Sequence, residues 1–172
     1  MCLDTQILIW GIQKQASAGQ EELIERAAYL IQALEKQKAE ILIPTPVITE
    51  FLMGTPSEDH SNVLAVLNRR FQIAPFDAAS AALAATLWQQ WKKGPLSCEP
   101  WMKGLGREKL KFDCQLVAIA IVHRADCIYS HDNGVPKIAQ DRIPVLQVPP
   151  ITGQRGLPFD GIVTTTPLEN IG

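Results

Sequence analysis

Four acidic residues stand where the surrounding sequence gives a charge little reason to be. Asp4 closes a short apolar run, Met1 to Leu3, and Asp132 closely follows another, Cys127 to Ser130. In open α/β sheets the carboxyl ends of strands, near the point where strand order reverses, are where ligands bind, so these two acids become neighbours if their strands pair. Glu50 is flanked by Val47, Ile48, Phe51 and Leu52 in a segment otherwise suited to a core, and Asp113 shares a helical face with Leu116, Val117 and Ala120. An uncompensated carboxylate in either place is expensive. Gathered in one pocket, four carboxylates repel, which raises their pKa values or splays them apart unless a hard divalent cation, magnesium or manganese, neutralises them through oxygen coordination. Singly, each has a plain structural use: Asp4 as a strand-end turn residue, Asp113 and Asp132 as helix caps, Glu50 as a solvent-facing helix position. The set of four tips the balance toward a shared cation.

The elements that must position them alternate between short apolar runs and helical stretches, the pattern of a parallel sheet with helical crossovers. From Glu21 to Lys38, the residues Leu23, Ala27, Leu30, Ile31 and Leu34 recur at helical spacing, with acids at the start and lysines at the end to match the helix dipole. Ile41 to Ile43 reads as a buried strand. Thr45 then reads as an N-cap, with Pro46 in the first turn of the helix that carries Glu50. A further helix is expected over Glu58 to Arg69, ending in Arg69 and Arg70, and a third strand over Phe71 to Ala74. Asp77 caps an alanine-rich helix in which Leu83, Leu87 and Trp91 share a face, with Trp88 beside them for the core or a dimer interface. Residues Gly94 to Gly106 read as a long loop of the kind that often carries function. A helix from about Glu108 to Arg124 is apolar nearly all round and therefore buried. Strands over Cys127 to Ser130 and Val145 to Val148 complete the set, and the Pro-, Gly- and Thr-rich tail beyond Pro149 reads as irregular.

A chain of 172 residues can bury roughly 70% of its unfolded surface in one domain without staples. The net charge of −2 gives no global pull toward nucleic acid, so an anionic substrate must be held by local basic residues or a metal. Cys2, Cys98, Cys114 and Cys127 show neither C-x-x-C pairing nor a zinc rhythm with the three histidines, and read as small buried hydrophobes in a reducing compartment. The start of the chain lacks the features of a signal peptide, and no uncharged apolar stretch approaches a membrane span, so a cytoplasmic address is expected.

The stretches Leu3-Asp4-Thr5, Pro46-Val47-Ile48-Thr49-Glu50-Phe51, Phe112-Asp113-Cys114-Gln115-Leu116-Val117-Ala118-Ile119-Ala120 and Ser130-His131-Asp132-Asn133 resemble the four acidic motifs of PIN domains. They fall in family order, and the match runs from Met1 to about Val148. The resemblance implies a three-layer α/β/α fold with a parallel sheet of about five strands in the order 3-2-1-4-5. It implies a metal-dependent endoribonuclease that hydrolyses RNA phosphodiester bonds. Many such proteins are VapC-like toxins of type II toxin–antitoxin pairs, so an antitoxin partner and a homodimer are family expectations. On this reading Asp4, Asp113 and Asp132 are the direct or water-mediated ligands of Mg2+ or Mn2+, and Glu50 completes the catalytic set by holding a metal-bound water or a second metal. Ser130 stands where the family often has Thr, with its hydroxyl available to orient Asp132. The nuclease domain spans residues 1–148, and residues 149–172 form an extension packed on it or on a partner. The chemistry is self-consistent, because a carboxylate-bound cation lowers the pKa of bound water and needs no catalytic His or Cys.

Between Trp101 and Lys111 the residues Lys103, Arg107, Lys109 and Lys111 face a single acid, Glu108, and lead into Asp113. They are candidates to hold substrate phosphates, with Trp101 stacking a base, although isolated charge runs are usually solvated surface. His131 is expected to be an exposed strand-end residue. Two alternatives come from other classes: a non-catalytic PIN-like module that binds RNA or protein, and a haloacid dehalogenase-like phosphohydrolase. The second lacks support because Gln6 stands where its nucleophile motif has a second Asp. A P-loop enzyme is excluded, since no G-x-x-x-x-G-K stretch is present.

Overall fold

The computed structural model describes residues 1–93 and 107–151. Among them, five short strands form one sheet: β1 (Cys2–Leu3), β2 (Leu42–Pro44), β3 (Gln72–Ala74), β4 (Ile128–Tyr129) and β5 (Val145–Leu146). Their order is β3-β2-β1-β4-β5 and every pairing is parallel. Helices make the connections: α1 (Thr5–Leu8), continued by one turn of π-helix (Ile9–Gln13), then α2 (Glu22–Lys36), α3 (Thr45–Met53), α4 (His60–Arg70), α5 (Ala78–Lys93), α6 (Arg107–Val122) and α7 (Gly134–Ala139). The neighbouring residues Cys2 and Leu3, Leu42 and Ile43, and Ile128 and Tyr129 point to opposite faces of the sheet, yet all are buried. Both faces are therefore covered, which is the three-layer arrangement expected of an all-parallel sheet.

Strand order reverses between β1 and β4, where Cys2 pairs with Ile128 and Leu3 with Tyr129. The backbone bonds continue past the strands: Asp4 N–H donates to Tyr129 O at 3.1 Å, and Ser130 N–H donates to Leu146 O at 2.9 Å. The chain thus leaves β1 and β4 side by side, at the carboxyl edge where a ligand site is expected. The amphipathic stripe of α2 is realised as read, with Leu23, Ala27, Leu30, Ile31 and Leu34 all buried. Gly11 permits the close approach of the π-turn to α2, since a Cβ there would meet Ile31 Cδ1 at 2.5 Å.

Some local expectations change. Pro44, in extended conformation, is the N-cap of α3, and Thr45 lies inside the helix. The Thr45 hydroxyl instead accepts a hydrogen bond from Phe76 N–H at 3.0 Å, tying α3 to the segment after β3. Asp77 does cap α5, accepting from Ser80 N–H at 2.8 Å. Trp88 and Trp91 lie partly buried against the core with their rings 5.7 Å apart. Cys2, Cys114 and Cys127 are buried free thiols, pushed well above the ordinary thiol range chiefly by burial, to about 12 for Cys114 and about 11 for Cys127. Among the described residues no helix is long and apolar enough to cross a membrane. The loop expected over Gly94 to Gly106, with Trp101 and Lys103, lies outside the described residues, as do Cys98 and the tail from 152 onward.

Candidate metal centre at the carboxyl edge of the sheet

Each acid reaches the carboxyl edge by a separate route. Asp4 is the first residue beyond β1 and the N-cap of α1, so its backbone stays extended while its side chain turns back. Its Oδ1 accepts from Thr5 N–H at 2.7 Å, and its Oδ2 accepts from the Ser130 hydroxyl at 2.6 Å. Ser130, itself buried, accepts in turn from Asp132 N–H at 3.0 Å. The serine therefore links the ends of β1 and β4, orienting the carboxylate of Asp4 and only the backbone of Asp132. Asp132 Oδ1 accepts from Gly134 N–H at 2.7 Å, and its Oδ2 is paired with the Lys109 ammonium. Glu50, on α3, receives a hydrogen bond from the Thr5 hydroxyl.

Asp113 differs from the other three. It sits on α6 one helical turn after Lys109, with only 7% of its surface exposed, and its Oδ2 is buried without a hydrogen-bond partner. Burial, followed by the negative charges of Asp132 and Asp4, pushes its carboxyl up to about 8. Asp4 is raised as well, by burial above all, against the opposing pull of its bonds from Ser130 and Thr5; Glu50 and Asp132 add repulsion. These mutual influences place the four acids in one electrostatic neighbourhood. Gly134 completes the wall: a Cβ there would lie 2.7 Å from Asp113 Oδ2 and 3.2 Å from Asp132 Oδ1. The glycine thus leaves room for two carboxylates to face each other.

Among the described residues no three His, Cys, Asp or Glu side chains are drawn together closely enough to hold a metal ion as they stand. Ser130, Thr5, Gly134 N–H and Lys109 each engage one of the other carboxylates, and the Asp113 Oδ2 is left without a partner. The donor set nevertheless fits a hard divalent cation, because it consists of carboxylate oxygens and contains one buried oxygen in need of a positive partner.

Outside the acids, an open cleft of about 670 Å³ is lined by Gln6, Lys109, His131, Asp132, Asn133, Pro136 and Lys137. Of the basic candidates whose side chains are described, Lys109 lines this cleft. Lys111 pairs with Glu108 at 2.7 Å and borders a different hollow, between α5 and α6, lined by Phe76, Ala84 and Trp88. Arg107 begins α6, and Lys103 lies outside the described residues. His131 is half-buried rather than exposed: its Nε2 accepts from Val148 N–H at 3.0 Å and its ring meets Trp10 edge-on, with centroids 5.1 Å apart. Burial, with a smaller contribution from Arg26, lowers its pKa and favours the neutral ring this acceptor role requires. Arg26 reaches the same segment, bonding the carbonyls of Val148 and Pro149.

The functional residues missed in the sequence are Thr5 and Gly134. Thr5 adjoins Asp4, and a hydroxyl beside a strand-end acid is a usable sign. Gly134 ends the Asp-Asn-Gly turn, where a glycine two residues after an acid marks a close approach of backbone to carboxylate.

The sequence profile of the PIN domain matches residues 1–141, and the chain belongs to the PIN domain family. Among solved structures it is similar to a chain of VapBC2 from Rickettsia felis, bound to a DNA fragment from the promoter. That likeness has a TM-score of 0.58 at 18% identity and covers 85% of this chain and 96% of the other. It shows the shared α/β fold, with the sheet order 3-2-1-4-5. A search of curated protein sequences finds no match.

Proposed function

We propose that this protein is a metal-dependent endoribonuclease, with Asp4, Glu50, Asp113 and Asp132 as its catalytic acids. The carrying observation is the buried, unpartnered Oδ2 of Asp113 beside the carboxylates of Asp132 and Asp4. Asp4, Asp113 and Asp132 are the residues that would hold Mg2+ or Mn2+, with Glu50 holding a bound water or a second ion. When bound, such a cation polarises a phosphate and lowers the pKa of water enough to supply a nucleophile at neutral pH. The chain's own contribution is positional: Ser130 and Thr5 N–H fix Asp4, the Thr5 hydroxyl fixes Glu50, and Gly134 gives Asp113 its room. Lys109, together with Lys103 and Arg107 of the same basic run, supplies cations for the RNA backbone. Lys111, paired with the exposed Glu108, is a further candidate from the same basic run.

We further infer that the chain is a cytoplasmic toxin held by an antitoxin protein and self-associating as a homodimer; the likeness to a VapBC2 chain is consistent with the antitoxin partner, and the homodimer and the address follow from the family resemblance alone. Residues 1–148 form the nuclease domain and 149–172 an extension; the Arg26 bonds to Val148 and Pro149 support docking at the junction. Incubating purified protein with single-stranded RNA tests the activity. Cleavage is expected with Mg2+ or Mn2+ and to cease in excess chelator. Asp113→Asn should lower the rate by roughly a thousandfold, since a metal supplies several kcal/mol of transition-state stabilisation. RNA binding without cleavage would favour the non-catalytic module, and hydrolysis of a small phosphate ester but not RNA would favour a phosphohydrolase.

A further inference from the structure

Lys109 occupies an unusual position for a surface lysine. Its stem is on the first turn of α6 and nearly half its side chain is exposed, yet its ammonium pairs with Asp132, whose side chain is only 11% exposed. Asp113 and Asp4 also act on it electrostatically. On a helix, positions four apart lie above one another, so Lys109 is held over Asp113 by geometry as well as by charge. One turn further along sits an acid with 7% exposure and an unpartnered oxygen. Lys109 also lines the wall of the open cleft that continues past Asn133 and Lys137.

We propose that Lys109 is the resident counter-ion of the acidic pocket: it pairs with Asp132 in the metal-free protein and, when a divalent cation enters, is released to the cleft wall to bind a phosphate of the RNA strand. The inference rests on the metal-dependent reading above and adds to it a competitor carried by the chain itself. A lysine suits the role. Its ammonium is a compact charge on a flexible four-carbon stem, able to leave one anionic partner for another without moving the helix. Charge balance drives the exchange. With the lysine in place the pocket carries one positive charge against its acids; a divalent ion supplies two, removes the demand on Lys109 and repels it toward the cleft.

The test is calorimetric titration of Mn2+ alone into the full chain and into Lys109→Met, Lys109→Arg and Lys111→Met. Lys109→Met should bind Mn2+ about tenfold more tightly, equivalent to ~1.4 kcal/mol, because the competing charge is gone. Lys109→Arg keeps the charge and should stay within about twofold of the unmodified chain, as should Lys111→Met, whose lysine is paired elsewhere. At saturating Mn2+, the KM for RNA should rise by about fivefold in Lys109→Met, as expected when a phosphate contact is lost. A second measurement needs no substitution: the side-chain ε-CH2 resonance of Lys109 should shift on addition of Mg2+ while that of Lys111 stays in place. Equal or weaker Mn2+ affinity in Lys109→Met, with the unmodified chain binding normally, would overturn the counter-ion role and leave the metal site standing. An unchanged KM would overturn the transfer to phosphate. Absence of Mn2+ binding in every form would instead bring down the metal-dependent reading itself.

Discussion

The two edges of the sheet handle charge in opposite ways. At the amino edge the N-terminal ammonium of Met1 donates to Glu40 O at 2.8 Å and lies 3.9 Å from Asp126, whose side chain is 85% exposed. Among the described residues, no carboxylate at that edge is buried without a partner. At the carboxyl edge Lys109 pairs with Asp132 and feels the charges of Asp113 and Asp4, and the buried Asp113 keeps an oxygen without a partner. That imbalance is the feature on which the proposed chemistry rests.

Substitutions can break this contrast in graded steps. The largest effect expected here is from Ser130→Ala, which removes the bond that aims Asp4 and links the ends of β1 and β4. Losing an outer partner of a metal ligand typically costs roughly 10–100-fold in metal affinity or activity, so manganese affinity and RNA cleavage should fall together while the fold persists. Gly134→Ala comes next. Its methyl group would sit 2.7 Å from Asp113 Oδ2, and displacing that carboxylate should lower cleavage by about tenfold at a cost in stability of about 1–3 kcal/mol, the range for overpacked sites; kinetics and thermal melting measure the two.

The pH dependence of the metal-free protein sharpens the same contrast. The folded-state pKa of Asp113, about 8, lies above its ordinary value of 3.8. Its stabilising contribution is therefore fully present below about pH 4, the unfolded value, and is lost as pH rises through about 8. Between pH 6 and 9 in chelator, the melting temperature of the unmodified chain should fall relative to that of Asp113→Asn. By the same linkage, cation binding near neutral pH should release protons. The smallest effect is expected at the opposite edge. Asp126→Asn removes an exposed partner and should change neither the melting temperature nor cleavage, because such pairs contribute little.

Much of this was legible in the sequence because strand ends and helix faces are periodic. Asp4 and Asp132 follow short apolar runs, and once strand pairing is supposed, their meeting follows. The α2 stripe and the buried α6 were readable for the same reason. What escaped was local and short. Thr5 to Gln13 forms less than three turns, and its run of Ile7, Leu8, Ile9 and Trp10 carries no distinct helical or strand period. The basic run before Asp113 reads as one patch, yet Lys109 and Lys111 are about 200° apart around a helix: Lys109, four positions before Asp113, reaches Asp132, and Lys111 pairs with Glu108. His131 looked exposed because its partner, Val148 N–H, lies 17 residues away and is brought near only by the path of β5.

The shared-cation account is tested most directly by adding substoichiometric Mn2+ to the isotope-labelled chain and recording which resonances its paramagnetism broadens. Signals of Asp4, Thr5, Glu50, Asp113 and Asp132 should broaden first and together, and recover when chelator is added. Broadening centred elsewhere, or confined to one of these acids while the others stay sharp, would contradict it.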